Sequence, residues 1–161
     1  MNIWLINHYA VPPRYYPLAR PSLFAKNLMK LGHDVTIISA STVPNSDINL
    51  IDEKKHENTI VDDGIKYVFI KCSNYKWNGF RRVINILEFG WKLPATLNAL
   101  DKPDAIVATS FDPISCFVAI KYAKKNGIKA VAEIADLWPE TLVAYTSMTS
   151  HNIIVRSLRT S

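Results

Sequence analysis

The chain has 161 residues, of which 48% are apolar and 20% charged, with a formal net charge of +5. That balance suits one globular domain with a sizeable core and excludes a disordered chain. No apolar run approaches the roughly 18 residues that a membrane span needs, and no internal repeat or low-complexity tract is present.

The chain opens on Met1-Asn2-Ile3-Trp4, which reads as the start of a strand, so no secretory leader is expected. Ile3 to Ile6 forms that strand. Asn7 to Arg20 is a polar, proline-containing loop, longer than the two to six residues usual for a strand-to-helix turn. Pro21 opens a helix to about Leu31, with Phe24, Ala25, Leu28 and Leu31 on one face, and Gly32 ends it as a left-handed cap. Asp34 to Ala40 is a second, β-branched strand. These segments make one βαβ unit with a parallel strand pair.

Residues 41 to 63 are polar and read as a surface loop with room for a small hairpin. Ile65 to Lys71 is the next strand, and Asn74 to Phe80 a loop that leaves Tyr75, Trp77 and Phe80 free to be exposed. A long helix follows from about Arg81 to Leu100 with Pro94 inside it, a site for a kink. Asp104 to Thr109 is a strand. Ser110-Phe111-Asp112-Pro113 supplies a cap and first turn for a helix to Asn126, ended by Gly127. Lys129 to Ile134 is the last strand, and a short helix is expected near Pro139. Strands alternate with helices throughout and lack strict polar alternation, as when both sheet faces are covered. The fold class is therefore α/β: a doubly wound, mostly parallel sheet with helices on both faces.

Chemistry is more narrowly constrained. The only glycines are Gly32, Gly64, Gly79, Gly90 and Gly127, so neither a dinucleotide fingerprint nor a P-loop can be written on the first turn. Cys72 and Cys116 lie in apolar surroundings without His or Cys at ligand spacing. They read as free core thiols in a reducing compartment, not as a metal site or redox pair. No nucleophile–base pair can be named, so catalytic residues stay unassigned.

Two regions remain. The first loop carries Asn7, His8, Tyr9, Arg14, Tyr15, Tyr16 and Arg20, which can hydrogen-bond and stack on a polyol or phosphate; the plainer reading is a packed surface loop. His33, beside a helix cap at the opposite edge, reads as structural. Residues 130 to 140 run as a buried strand into Asp136-Leu137-Trp138-Pro139-Glu140, the make-up of a site at the carboxyl edge of a parallel sheet. The plainer reading makes Asp136 a turn former and Trp138 core.

The whole charge excess sits between Lys66 and Lys92, where Lys66, Lys71, Lys76, Arg81, Arg82 and Lys92 face Glu88 alone. In the long helix Phe80, Val83, Ile84, Leu87 and Trp91 share one side, with Ile86, Phe89 and Leu93 elsewhere. Trp77, Phe80 and Trp91 beside Arg81 and Arg82 fit docking on an anionic membrane surface. A core helix covered by the sheet and a further domain fits equally. Nucleic acid is disfavoured: the basic residues are few and no binding motif surrounds them.

Asn7-His8-Tyr9 followed by Pro12-Pro13 and Arg20, then Leu31-Gly32-His33-Asp34-Val35-Thr36-Ile37-Ile38, with Asp136-Leu137-Trp138-Pro139-Glu140 downstream, resembles one known family. It looks like the N-terminal domain of GT-B-fold, family 4 retaining glycosyltransferases of bacterial surface-polysaccharide biosynthesis, over almost the whole chain. The resemblance implies a single Rossmann-like, acceptor-binding domain spanning residues 1 to 161. A separate C-terminal half would bind the nucleotide-sugar co-substrate and supply a paired-glutamate motif. The acceptor would be a glycan, often linked to a polyprenyl diphosphate. No cofactor or metal is implied, and the setting would be the cytoplasmic face of the cell membrane. His8, Arg14, Arg20, Asp136 and Glu140 would line the interdomain cleft, with Arg14 and Arg20 holding phosphate and Asp136 orienting a sugar hydroxyl or a loop. Trp77, Phe80, Arg81, Arg82 and Trp91 would seat the domain on the membrane.

The sequence departs from the family at two of its contacts. Tyr15-Tyr16-Pro17-Leu18-Ala19 stands where a glycine pair is common, and Ala135 where many relatives place His or Arg. Without the donor half, this domain is expected to transfer no sugar. The alternative is a complete, non-catalytic subunit that anchors a separately encoded donor-binding partner at the membrane. A flavodoxin-like binding module is a third reading, and the glycine-free first loop counts against it.

Overall fold

The computed structural model describes residues 1–17, 20–51, 57–76 and 79–134. The elements are β1 (Asn2–Ile6), α1 (Arg20–Lys30), β2 (Asp34–Ala40), β3 (Glu57–Asp62), β4 (Ile65–Ile70), α2 (Phe80–Ala99), β5 (Ala105–Thr109), α3 (Pro113–Asn126) and β6 (Lys129–Glu133). They build one sheet in the order β3-β4-β2-β1-β5-β6. Every pairing is parallel except that of edge strand β3 with β4.

Strand side chains alternate between two cores. Trp4, Ile6, Ile38, Val68 and Ile106 meet Phe89, Leu93 and Leu97 of α2 and Ala119 and Ala123 of α3. Ile3, Leu5, Val35, Ile37 and Tyr67 meet Ala25 of α1 together with Ala10, Val11 and Ile51. The sheet is thus doubly wound, with α1 on one face and α2 and α3 on the other. Burying each large apolar chain of α2 stabilises by about 1.5–3 kcal/mol, which holds the helix to the sheet through Pro94.

Local chemistry sets the ends. Asp112 caps α3 by accepting from Ser115 N at 3.0 Å, Pro113 occupies its first turn, and Gly127 closes it at φ 64°. Asp63 and Gly64, both at positive φ, form the two-residue turn of the β3–β4 hairpin.

Four expectations change. The strand expected to be buried from residue 130 is the exposed edge β6, with Val131 and Ile134 58% and 59% exposed, because among the described residues β5 alone pairs with it. Residues 41 to 63 are no plain surface loop: Ser41, Thr42, Val43 and Ile51 are buried, and β3 adds an antiparallel edge. In the loop before α2, Tyr75 is buried and bridges to Ser46. On α1 the inward residues are Pro21, Ser22 and Ala25, whereas Leu31 is 73% exposed and Phe24 also faces outward. The buried 3.0 Å hydrogen bond between Ser22 Oγ and Tyr67 Oη draws that stripe to the sheet.

On α2 the sheet takes the face of Asn85, Phe89, Gly90, Leu93, Thr96 and Leu97. Phe80, Val83, Leu87 and Trp91 therefore point outward. Among the described residues no helix is long and apolar enough to cross a membrane. The short helix expected near Pro139 lies outside the described residues.

Candidate functional site

The site forms where β1, β2 and β5 end. Parallel strands deliver their following loops to one edge, the usual place for ligands in such sheets. Asn7 N donates to Ile38 O and Ala40 N to His8 O, so the β1 ladder with β2 continues one step past the strand. Asn7 Oδ1 then accepts from Tyr9 N at 3.0 Å and turns the chain.

His8 is only 2% exposed. Its ring lies against Phe89, centroids 5.0 Å apart and planes 17° from parallel. Nε2 lies 2.6 Å from Asn85 Oδ1. Asn85 Nδ2 in turn donates to Thr42 Oγ1 at 3.1 Å and to Ser73 O at 2.6 Å. On the other side, His8 Nδ1 faces Asp112 Oδ2 at 3.7 Å. Neither of those two atoms makes a hydrogen bond. Burial pulls the His8 pKa below its ordinary value, against the pull of Asp112 and the hydrogen bond to Asn85 Oδ1.

Beside this buried cluster opens a cleft of about 240 Å³ lined by Tyr9, Tyr16, Pro44, Asn45, Tyr75, Arg82 and Phe111. Arg82 donates through Nε and Nη2 to Tyr9 Oη at 3.1 and 3.0 Å, with its guanidinium 5.3 Å from that ring's centroid. Tyr9 meets Phe111 edge-on at 6.3 Å. Burial raises the Tyr9 pKa, so its hydroxyl stays protonated near neutral pH. Aromatic faces with one cationic fork suit a ring carrying hydroxyls and an anionic group.

The expected cleft residues are placed separately. His8 sits behind the cleft wall, not in it. Arg20 turns into an adjoining recess that shares Phe111, and donates from Nε to Glu133 Oε1 at 2.9 Å. Glu133 Oε2 accepts from Thr109 Oγ1 at 2.8 Å. Arg14 pairs with Asp62 of edge strand β3 at 3.2 Å. Asp136 and Glu140 lie outside the described residues, as does Trp77.

Of the residues assigned to a membrane, Phe80 and Trp91 are 78% and 82% exposed, Arg81 is exposed, and Arg82 turns to the cleft. Asn85, Tyr75 and Phe111 belong to the site yet carry no sequence signal of it. Asp112 announces itself only as a helix cap. Among the described residues no three His, Cys, Asp or Glu side chains gather as metal ligands.

A larger cavity, about 490 Å³, lies at the opposite, amino edge between Asn2, His33, Thr36, Lys66 and Asp101. Volume alone does not favour it. The carboxyl edge holds the convergent polar groups and the strand-end loops that parallel sheets use.

No family model matches the chain. No curated protein matches it either. Among solved structures it is similar to the catalytic domain of starch synthase IV from Arabidopsis thaliana bound to ADP and acarbose, at TM-score 0.50 and 17% identity over 81% of this chain. It spans 32% of that chain's length. Trehalose-6-phosphate from E. coli bound with UDP-2-fluoro glucose superposes at TM-score 0.49 and 13% identity, covering 82% of this chain and 32% of that one. A UGT transferase from Siraitia grosvenorii in complex with UDP gives 0.42 and 12%, covering 81% and 27%. At 17% identity the likeness to starch synthase is one of fold, and the fold is that of a Rossmann-like domain of the GT-B type.

Proposed function

We propose that this chain is the acceptor-binding half of a retaining, family 4-like glycosyltransferase. In this reading a nucleotide-sugar, bound by a separate C-terminal half, gives its sugar to a glycan acceptor linked to a polyprenyl diphosphate. The observation that carries the reading is the aromatic cleft beside Arg82, at the carboxyl edge of a GT-B-type sheet. Tyr9 and Phe111 border the cleft with aromatic surface for a sugar above the buried Tyr75, and Arg82, bonded to Tyr9 Oη, brings positive charge to it for phosphate. Arg20, in the adjoining recess, is a further phosphate contact in this reading, Arg14 becomes one only on leaving Asp62, and His8 orders the wall behind. Asp136 and Glu140 are further sugar contacts in the same reading.

The same reading seats α2 on an anionic membrane at the cytoplasmic face. Its support is the outward row of Phe80, Val83, Leu87 and Trp91, with Arg81 exposed beside it. That row equally favours a second reading, a non-catalytic subunit that anchors a donor-binding partner.

The test is binding to the 161-residue chain. A short-chain isoprenyl-diphosphate sugar should perturb the NMR resonances of Tyr9, Tyr75 and Phe111, while UDP-glucose and GDP-mannose should not. No sugar transfer by the chain alone is expected. Binding of a nucleotide-sugar in this cleft, or turnover by the isolated chain, would overturn the proposal.

A further inference from the structure

The buried cluster behind the cleft contains a pair of facing acceptors. Ser73 O can only accept, so the Asn85 atom 2.6 Å from it is the amide nitrogen, and Asn85 Oδ1 is thereby turned to His8. His8 Nε2 must then carry a hydrogen and donate. In neutral His8 this leaves a lone pair on Nδ1, aimed at Asp112 Oδ2 across 3.7 Å. Both side chains are almost fully buried, and neither facing atom has another hydrogen bond.

Each partner adjoins a wall of the cleft in sequence. Tyr9 follows His8, and Phe111 precedes Asp112. We infer that His8, Asp112 and Asn85 are positioning residues for the cleft, acting as a latch that one proton on His8 Nδ1 closes. The proton comes from solvent, binds the Nδ1 lone pair and makes an imidazolium; Nε2–H and the Asn85 contact are unchanged. Two repelling acceptors become a charge-assisted N–H···O⁻ pair, which prefers about 2.7–2.9 Å. Closing the distance draws the β1 loop and the α3 cap together, and Tyr9 and Phe111 with them.

The groups that face His8 are Asp112 from the α3 cap, Arg82 and Asn85 from α2, Thr42 through Asn85, and Tyr9 from its own loop. Asp112 favours the proton and Arg82 opposes it. The latch rests on the acceptor-site reading only for what the cleft would hold. Its own test needs no ligand.

That test is a ring-nitrogen NMR titration of the chain's four histidines from pH 8 to 5, assigned by His8→Gln and His33→Gln. At pH 8, His8 should show the Nε2–H tautomer. On acidification Nδ1 should gain a proton, and the ring resonances of Tyr9 and Phe111 should move with the same midpoint and not with that of His33. Asp112→Asn keeps an oxygen for the cap and should lower the His8 midpoint by about one to three pH units. An Nδ1–H tautomer at pH 8, or Tyr9 and Phe111 resonances that ignore the His8 midpoint, would overturn the latch. If the rings follow His8 but isoprenyl-diphosphate sugar binds at neither pH, the latch stands and the acceptor reading falls.

Discussion

A Cβ added to Gly90 would lie 2.7 Å from Cγ2 of Ile114, closer than side chains tolerate. Gly90 is thus the point where α2 and α3 touch across the same sheet face. Ile114 is β-branched and stiff in a helix, so it cannot turn aside freely. Gly90→Ala gains helix propensity but overpacks the contact, and the net should be a loss of about 1 kcal/mol. Urea unfolding reads this, and adding Ile114→Ala should recover part of it in a double-mutant cycle.

His8 makes stability depend on pH in a known direction. Its folded pKa lies below the ordinary 6.5 because burial disfavours the charge. Below pH 6.5 the unfolded chain therefore binds more protons than the folded one. The contribution is fully present above the unfolded pKa and is lost as pH falls toward the folded value. His8→Gln should flatten that part of the stability curve, measured by denaturant midpoints between pH 8 and 5.

Both thiols should be slow to react. Burial pushes the Cys72 thiol up to about 12 and raises that of Cys116, and both cysteines are free and buried. Thiolate is the reactive form. A chromogenic disulfide at pH 8 should label neither in the native chain within minutes and both in guanidinium chloride. Fast native labelling of Cys72 would show that its surroundings open.

The outward α2 row should matter for surfaces and not for folding. Phe80→Ser with Trp91→Ser should leave the unfolding free energy within about 0.5 kcal/mol, because both side chains are exposed. On the membrane reading, the same pair should lower co-sedimentation with phosphatidylglycerol vesicles at least several-fold. Arg81→Gln should weaken binding mainly at low salt. Wild-type chain that ignores such vesicles at low salt removes the membrane surface from the proposal.

The fold was largely legible because its signals are local. Gly32 and Gly127 mark helix ends, Asp112-Pro113 marks a start, and the β-branched run of β2 marks a strand; all stand where expected. Faces were harder. On α2 two apolar stripes compete, and only the sheet decides that Phe89, Leu93 and Leu97 turn in. The Asp63-Gly64 turn was written in the chain, but the polar residues before it disguised β3 as loop. The site was least legible. Asn85 and Asp112 reach His8 from 77 and 104 positions away in sequence (85 − 8 and 112 − 8), and neither residue type nor spacing announces contact at that range.

Strand β1 lies between β2 and β5, so Ile3 pairs with Val35 on one side and with Ala105 on the other. During synthesis β1 must wait for β5. The βαβ unit can form early, yet one flank of β1 stays without its partner until residues 105–108 leave the ribosome. Through that interval Trp4 and Ile6 face the place where α2 and α3 will later pack. Distant pairings of this kind slow folding and prolong exposure of sticky surface. The nascent chain is therefore most in need of chaperone cover in the span between the completion of β2 and the arrival of β5.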